Sequence, residues 1–263
     1  MICGLPRSGS TLLSNIMAQH PDVHTTPTSA CHEALFVLRN SWNQWLEHKA
    51  AKELADDKNL QRVLHAALHA YHDTDKPVII DKGRGWTSLL EMAEFALGRQ
   101  AKILVPVRNI SQIVASMEKL HRKEAHKRGD VGDYIEAQSV RGRANVTLAK
   151  SGVLGLAYTR LQDVAQRGLA DRLLLVEFDA LTSKPTETMA QVWDFLGMEA
   201  PKHDFNNVAQ ATTEDDSVHG LDLHTIRQEV KPVVDDSQEI LGTELCQTLA
   251  GAEFWRPAAP SNQ

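Results

Sequence analysis

The sequence predicts a three-layer α/β/α domain with a mainly parallel central sheet and helical insertions. Three observations predict it. Residues 4–11, Gly-Leu-Pro-Arg-Ser-Gly-Ser-Thr, form a glycine-spaced loop that runs directly into Leu12, Leu13, Ile16 and Met17, apolar residues at helical spacing. Three short apolar runs, 77–81, 101–107 and 172–178, read as strands buried on both faces. Helical periodicity fills the stretches between them, and helices alternating with such strands build a parallel sheet.

In chain order, the first helix starts near Ser10 and ends before Pro21. Residues 23–29 read as a short extended piece and a loop. Helices are expected over 30–49, with Leu35, Leu38, Trp42 and Trp45 on one face, and over 52–71. Further helices are expected over 87–97, over 111–127 and within 133–167. Residues 186–196 form a helix that stops at Gly197, a natural C-terminal cap. The chain from 201 to 218 is polar without periodicity and reads as loop, and 238–250 reads as a terminal helix. Repeats, low-complexity tracts and linkers are absent from the sequence, so residues 1–263 read as a single domain. Only Met1 to Cys3 precede the loop. The strand that feeds it is therefore a stub, or the natural chain begins further upstream.

The 263 residues suffice for one substantial core. A formal net charge of −6 argues against general nucleic-acid binding and leaves local basic patches open. Three cysteines, odd in number and far apart, read as reduced thiols of a cytoplasmic protein. No apolar run reaches membrane-spanning length, and no signal peptide precedes the loop, so neither a membrane nor a nucleic acid is an expected partner.

The loop is P-loop NTPase-like with one mismatch. The nucleotide-triphosphate pattern G-x-x-x-x-G-K-[ST] has a lysine that reaches the β/γ-phosphates. Here both glycines and Thr11 are in register, but Ser10 stands at the lysine position and the one cation of the loop is Arg7. Backbone N–H groups at the helix N-terminus still suit an anion. Arg108 closes the 101–107 run, at the strand end where open α/β sheets bind ligands, and Ser116 follows eight residues on. Together they suit a grip on one phosphate. Asp81-Lys82-Gly83-Arg84 closes the 77–81 run. Its Asp has the position of a Mg²⁺-holding carboxylate, and Lys82 and Arg84 could stabilise charge on a transferring group.

Gly4-Leu-Pro-Arg-Ser-Gly-Ser-Thr11 resembles the 5′-phosphosulfate loop of the sulfotransferases that use PAPS (3′-phosphoadenosine 5′-phosphosulfate). Val107-Arg-Asn-Ile-Ser-Gln-Ile-Val-Ala-Ser116 resembles their 3′-phosphate segment. Phe178-Asp-Ala-Leu-Thr-Ser-Lys-Pro185, followed by Trp193-Asp-Phe-Leu-Gly197, is similar to their Y-E-D-L-x-x-x-P…FLG stretch. His20-Pro21-Asp22-Val23, Asp81-Lys82 and Val230-Lys231-Pro232 are similar to bacterial and phage members related to the tyrosylprotein branch. The resemblance spans roughly residues 1 to 232. It implies PAPS as cosubstrate, no metal requirement, and transfer of a sulfuryl group to a hydroxyl or amine on a small molecule or peptide. It also implies that Arg7, Ser8, Gly9, Ser10 and Thr11 hold the 5′-phosphosulfate and that Arg108 and Ser116 hold the 3′-phosphate. Phe178, in place of the family tyrosine, would lie near the nucleotide, Lys231 would reach the cofactor phosphates, and Lys82 falls where that branch has a catalytic lysine.

Sulfuryl transfer needs positioning and electrostatics more than covalent participation by the protein, which assigns Arg7 and Lys82 to the charge developing on the leaving phosphate. The acceptor proton needs a base. The branch carries its base in an acidic segment after His-Pro-Asp, and the equivalent Thr25-Thr-Pro-Thr-Ser29 has no carboxylate. Glu33 and Asp81 are the leading candidates, with His32 behind them. Two other readings stay open: a kinase or NTPase using Mg-ATP, and a nucleotide-binding protein without catalysis. The basic cluster Lys119, His121, Arg122, Lys123, His126, Lys127 and Arg128 reads first as a solvated helix end and second as a rim for an acidic acceptor. Trp42, Trp45, Trp86 and Tyr134 offer aromatic surface for the acceptor.

Overall fold

A computed structural model describes residues 1–124, 135–219 and 223–256. Its strands are β1 (Val23–Thr28), β2 (Val78–Lys82), β3 (Ile103–Val107) and β4 (Leu173–Glu177), and they pair in parallel as β1–β2 and β3–β4. The pairs are joined by residues 1–5. Ile2 bridges in parallel to Lys82 on one side and to Leu104 on the other. Backbone bonds carry the seam: Ile2 N–H to Asp81 O at 2.8 Å, Cys3 N–H to Leu104 O at 2.9 Å and Leu5 N–H to Pro106 O at 2.9 Å. The expected stub is thus the central strand of one parallel array.

Alternation along the strands divides the apolar residues between two cores. Cys3, Leu5, Ile103, Val105 and Val107 face one, and Ile2, Ile80, Leu104 and Val176 face the other. The first core takes α2 (Cys31–Trp42), α4 (Asp57–Ala70), α5 (Leu90–Leu97), α6 (Ile110–Glu124) and α8 (Val153–Gln166). The second takes α1 (Ser10–Met17) and α10 (Pro185–Leu196). Those are the three layers α/β/α that the sequence predicts. No described helix is long and apolar enough to cross a membrane, and all three cysteines are free.

Several boundaries differ from the expectation, each with a local cause. The helix expected over 30–49 breaks after Trp42 and resumes as α3 (Leu46–Ala50). The helix expected from 52 starts at Asp57, because the Asp56 side chain caps it by accepting from Asn59 N–H at 2.7 Å. The stretch within 133–167 holds α7 (Val140–Leu148) and α8, and Gly152 lies so close to the Val146 carbonyl that a Cβ there would meet it at 2.2 Å. The terminal helix divides into α11 (Ser237–Leu241) and α12 (Thr243–Leu249) at Gly242, whose φ of 85° lies outside helical space. The third apolar run ends at Glu177, because Phe178 opens α9 (Phe178–Ser183). His126, Lys127, Arg128 and Tyr134 lie outside the described residues.

The α6 helix positions much of the site, and it is held at both ends. At its start the buried Glu253 carboxylate accepts the Ile110 N–H at 2.7 Å, satisfying a donor that a helix terminus leaves unpaired. Further along, buried Glu118 accepts from Arg143 Nε at 2.7 Å, Arg143 Nη2 at 2.8 Å and Arg122 Nε at 2.8 Å, tying α6 to α7. Burial alone would raise the Glu118 carboxyl, but the two guanidinium groups outweigh it and hold the carboxyl below its ordinary 4.5. A carboxyl depressed in the folded state adds stability that is present above about 4.5 and is lost as pH falls through the folded value. Glu118→Gln should therefore cost on the order of 1–3 kcal/mol at neutral pH. It should also flatten the fall of the urea midpoint on acidification toward pH ~3.5, and an acid dependence as steep as that of the unsubstituted protein would refute the assignment.

Candidate active site

The carboxyl ends of the strands open onto a cleft of about 670 Å³, the position where open parallel sheets bind ligands. Its floor is the 4–11 loop. Arg7 has φ 57°, a left-handed conformation uncommon for a residue with a side chain, and Gly9 has φ 87°. Glycine is required at position 9 for a second reason, since a Cβ would lie 2.6 Å from the Phe178 ring. At Gly4 a Cβ would meet Pro106 O at 2.4 Å, so the central strand can approach β3 only with glycine there. The loop then enters α1 at Ser10 without a side-chain cap, and the first turn carries no acidic residue. The N–H groups of that turn, which no helical carbonyl can accept, lie where Gly9, Ser10, Thr11 and Leu12 line the cleft.

Two arginines meet above the loop. Arg7 Nε donates to Ser116 Oγ at 3.2 Å and its Nη1 to Leu223 O at 2.6 Å. Arg108 follows β3, sits with its guanidinium 4.4 Å from the Phe178 ring centroid, and donates to Gln112 Oε1 at 2.8 Å and Arg7 O at 3.4 Å. Burial lowers the Arg108 pKa below its ordinary value, with Asp179 opposing and the charge of Arg7 adding to the shift. Bringing two guanidinium groups together in a partly buried place is unfavourable without an anion between or beside them. Phe178 thus packs between Gly9 and the Arg108 guanidinium.

On the other side of the loop β2 delivers Lys82. Its side chain is buried, with Nζ 3.3 Å from Thr11 Oγ1 and 2.6 Å from Glu214 Oε1. Strand alternation sends the neighbouring Asp81 to the opposite face. There Asp81 Oδ1 accepts from Trp86 Nε1 at 2.6 Å, Oδ2 accepts from Ser29 Oγ, and His72 Nε2 lies 3.1 Å away. Burial would raise the Asp81 carboxyl, but the His72, Ser29 and Trp86 hydrogen bonds hold it low. Asp81 with Cys31 and His72 is a group whose donor atoms lie within 4.8 Å of one another, behind the sheet and outside the cleft lining.

Of the site residues read from the sequence, Arg7, Gly9, Ser10, Thr11, Lys82, Arg108, Ser116, Phe178 and Lys231 line this one cleft. Ser8 belongs to the loop by its backbone only: its buried hydroxyl lies 2.5 Å from Leu5 O and 2.7 Å from Pro106 O. Lys231 pairs with Glu229 at 2.5 Å on the rim. Asp81 and Glu33 do not reach the cleft. Glu33 is exposed in the first turn of α2 beside His32 Nε2 at 3.4 Å, and His32 is buried against Gly83, Gly85 and Trp86. Trp42 and Trp86 are core residues, Trp45 is exposed away from the cleft, and Phe178 is the aromatic residue lining it among those described. In the basic cluster, Lys119 and Lys123 line the rim, Lys119 paired with Asp236 at 2.7 Å.

Sequence reasoning missed a set of residues on the aperiodic stretch after 201. This strap is closed by Val208 N–H to Gln228 O and Val230 N–H to Phe205 O, both 2.8 Å. It is fastened to α1 by Asn15 Oδ1, which accepts from Ala211 and Thr212 N–H at 2.6 and 3.0 Å. The strap carries Glu214, Asp216 and His224 to the Lys82 side of the cleft. The only sequence signal was the acidic run Thr213-Glu-Asp-Asp216, which has no periodicity to place it.

Comparison with known proteins agrees with this geometry. The structure is similar to the sulfotransferase domain from the curacin biosynthetic pathway, with a TM-score of 0.57 at 15% identity over 95% of each chain. It is also similar to the sulfotransferase domain of the Synechococcus PCC 7002 olefin synthase, with a TM-score of 0.54 at 19% identity over 98% of this chain and 94% of that one. These likenesses establish the fold. No curated protein matches the sequence. A model of the sulfotransferase family matches residues 1–202, most of the sequence including the 4–11 loop and the 107–116 segment, and the chain belongs to that family.

Proposed function

We propose that the cleft binds PAPS and that the protein passes its sulfuryl group to a hydroxyl or amine acceptor, releasing 3′,5′-ADP. The observation that carries this reading is the meeting of two anion grips in one cleft. The loop and α1 N-terminus suit a phosphosulfate, and Arg108 with Ser116 suits the second phosphate that distinguishes this donor from ATP. Among the described residues the cleft is lined by eight lysines and arginines and one carboxylate, in a chain of net charge −6. So local a concentration of positive charge favours a polyanionic ligand and speeds its capture.

In this reading Arg7 and Lys82 neutralise the charge that grows on the phosphate as the sulfuryl group departs, and the backbone N–H groups of the loop hold the non-bridging oxygens. The acceptor, a small molecule or peptide, enters beside Lys82, Gly83 and Arg84. The Mg-ATP reading is not favoured, because the carboxylate it needs, Asp81, is committed to Trp86, Ser29 and His72 behind the sheet.

Calorimetry tests the donor. Magnesium-independent binding of 3′,5′-ADP, tighter than that of Mg-ATP, is the expected result; preference for Mg-ATP overturns the assignment. Arg108→Ala should weaken 3′,5′-ADP on the order of 10–100-fold and leave 5′-AMP nearly unchanged, since only the 3′-phosphate loses its charge-assisted contact. Lys82→Ala should lower turnover of a hydroxyl acceptor about 10²–10³-fold while 3′,5′-ADP affinity stays within a few-fold, the mark of a group that acts on the transition state.

A further inference from the structure

We infer that His224 is the general base of the transfer, oriented by Asp216 and anchored to the catalytic lysine through Glu214. The inference rests on the sulfotransferase reading and fills the role that Glu33 and Asp81, outside the cleft, cannot.

His224 lines the cleft. Its Nδ1 lies 2.5 Å from Asp216 Oδ1 and 3.3 Å from Glu214 Oε2. A ring nitrogen that faces two carboxylates is the one that carries hydrogen, so the neutral ring has its lone pair on Nε2. The orienting carboxylate is itself fixed. Asp216 Oδ2 accepts the backbone N–H groups of Leu223 and of His224, both at 2.9 Å. Burial would raise the Asp216 carboxyl, but those N–H groups and the imidazole outweigh it and keep it anionic. Base and orienter within hydrogen-bond reach is the arrangement that general-base sites share.

Glu214 does different work. Its Oε1 takes Lys82 Nζ at 2.6 Å, Thr28 N–H at 2.9 Å and Thr28 Oγ1 at 3.1 Å. Burial pushes its carboxyl up, and Lys82 with the Thr28 donors more than reverses this, so Glu214 is a weak proton acceptor. It is a positioning residue. Through Thr28 it ties His224 to the end of β1, and through Lys82 to the end of β2 and to Thr11 of the loop. A base carried on an aperiodic strap is thereby registered against the two rigid strand ends that flank the donor.

In the transfer step the acceptor oxygen forms a bond to sulfur while the bond from sulfur to the bridging oxygen breaks. The electron pair of the broken bond leaves with 3′,5′-ADP, and the acceptor's proton passes to His224 Nε2. Solvent takes that proton after the sulfated product leaves.

Two measurements on the full chain test the assignment. With 3′,5′-ADP bound, long-range ¹H–¹⁵N spectra should show neutral His224 protonated on Nδ1, and Asp216→Asn should weaken that preference. A neutral ring protonated on Nε2 overturns the assignment. In turnover with PAPS and 2-naphthol, a panel of aliphatic alcohols, or water as acceptor, His224→Gln and His224→Ala should lower kcat/KM on the order of 10²–10⁴-fold. Their 3′,5′-ADP affinity should stay within a few-fold, since no cofactor contact is removed. An unsubstituted rate no greater than that of His224→Gln on every acceptor overturns the base assignment. Failure of the parent protein to bind 3′,5′-ADP would instead sink the donor reading, so the two failures are distinct.

Discussion

The whole site depends on one constraint: residues 1–5 must fit between β2 and β3 and still leave the sheet as the loop. The segment is bonded to both neighbours, and among the described residues it joins the two strand pairs into one sheet. Gly4 is the residue that permits the fit, because Pro106 occupies the space a side chain would need. Ser8 then stitches the turn down, its hydroxyl lying between the Leu5 and Pro106 carbonyls. The site inherits its geometry from this seam. β2 ends on one flank of the loop with Lys82, and β3 ends on the other with Arg108. The two cations arrive on opposite flanks of the loop because they sit on opposite neighbours of one strand.

Much of this is legible in the amino-acid chain alone. Apolar runs and helical periodicity report burial on a sheet or helix face, and they identify β2, β3, β4 and the layered α/β class, while the polar β1 reads only as a short extended piece. The loop and the Arg108–Ser116 spacing are legible because backbone anion sites require particular residues at particular offsets. The failures have physical causes of the same kind. The expected base residues are near the site in sequence, but strand alternation turns Asp81 away from the cleft while presenting Lys82 to it. The Glu214, Asp216 and His224 network is invisible because a strap with no periodic burial leaves no pattern. Its placement comes from long-range bonds to Asn15 and Lys82, which no local window contains. Element breaks such as that at Gly242 come from single backbone conformations, which periodicity averages over.

Electrostatically the cleft combines two opposite arrangements. On the loop side Arg7 and Arg108 are placed near each other, and burial and the charge of Arg7 both lower the Arg108 pKa while Asp179 opposes them. On the other flank Lys82 is already matched by Glu214, and Glu214 by Thr28. One flank of the cleft thus gathers positive charge and the other is internally matched, a division that the proposed transfer, whose barrier is mostly charge and alignment, would use.

The strap is fastened to the rest of the molecule by Asn15, Thr28, Lys82 and Arg7. Its ends meet through the Val208–Gln228 and Phe205–Val230 backbone bonds, and Glu214 between them is bonded to the ends of β1 and β2. Lengthening a closed loop is cheap, about 0.6 kcal/mol for each doubling. The 4–11 loop, by contrast, tolerates no added atom at Gly4 or Gly9. Such a molecule can lengthen the strap between its anchors while the loop stays frozen, so sequence drift would concentrate at the strap's unanchored positions and spare Glu214, Asp216 and His224.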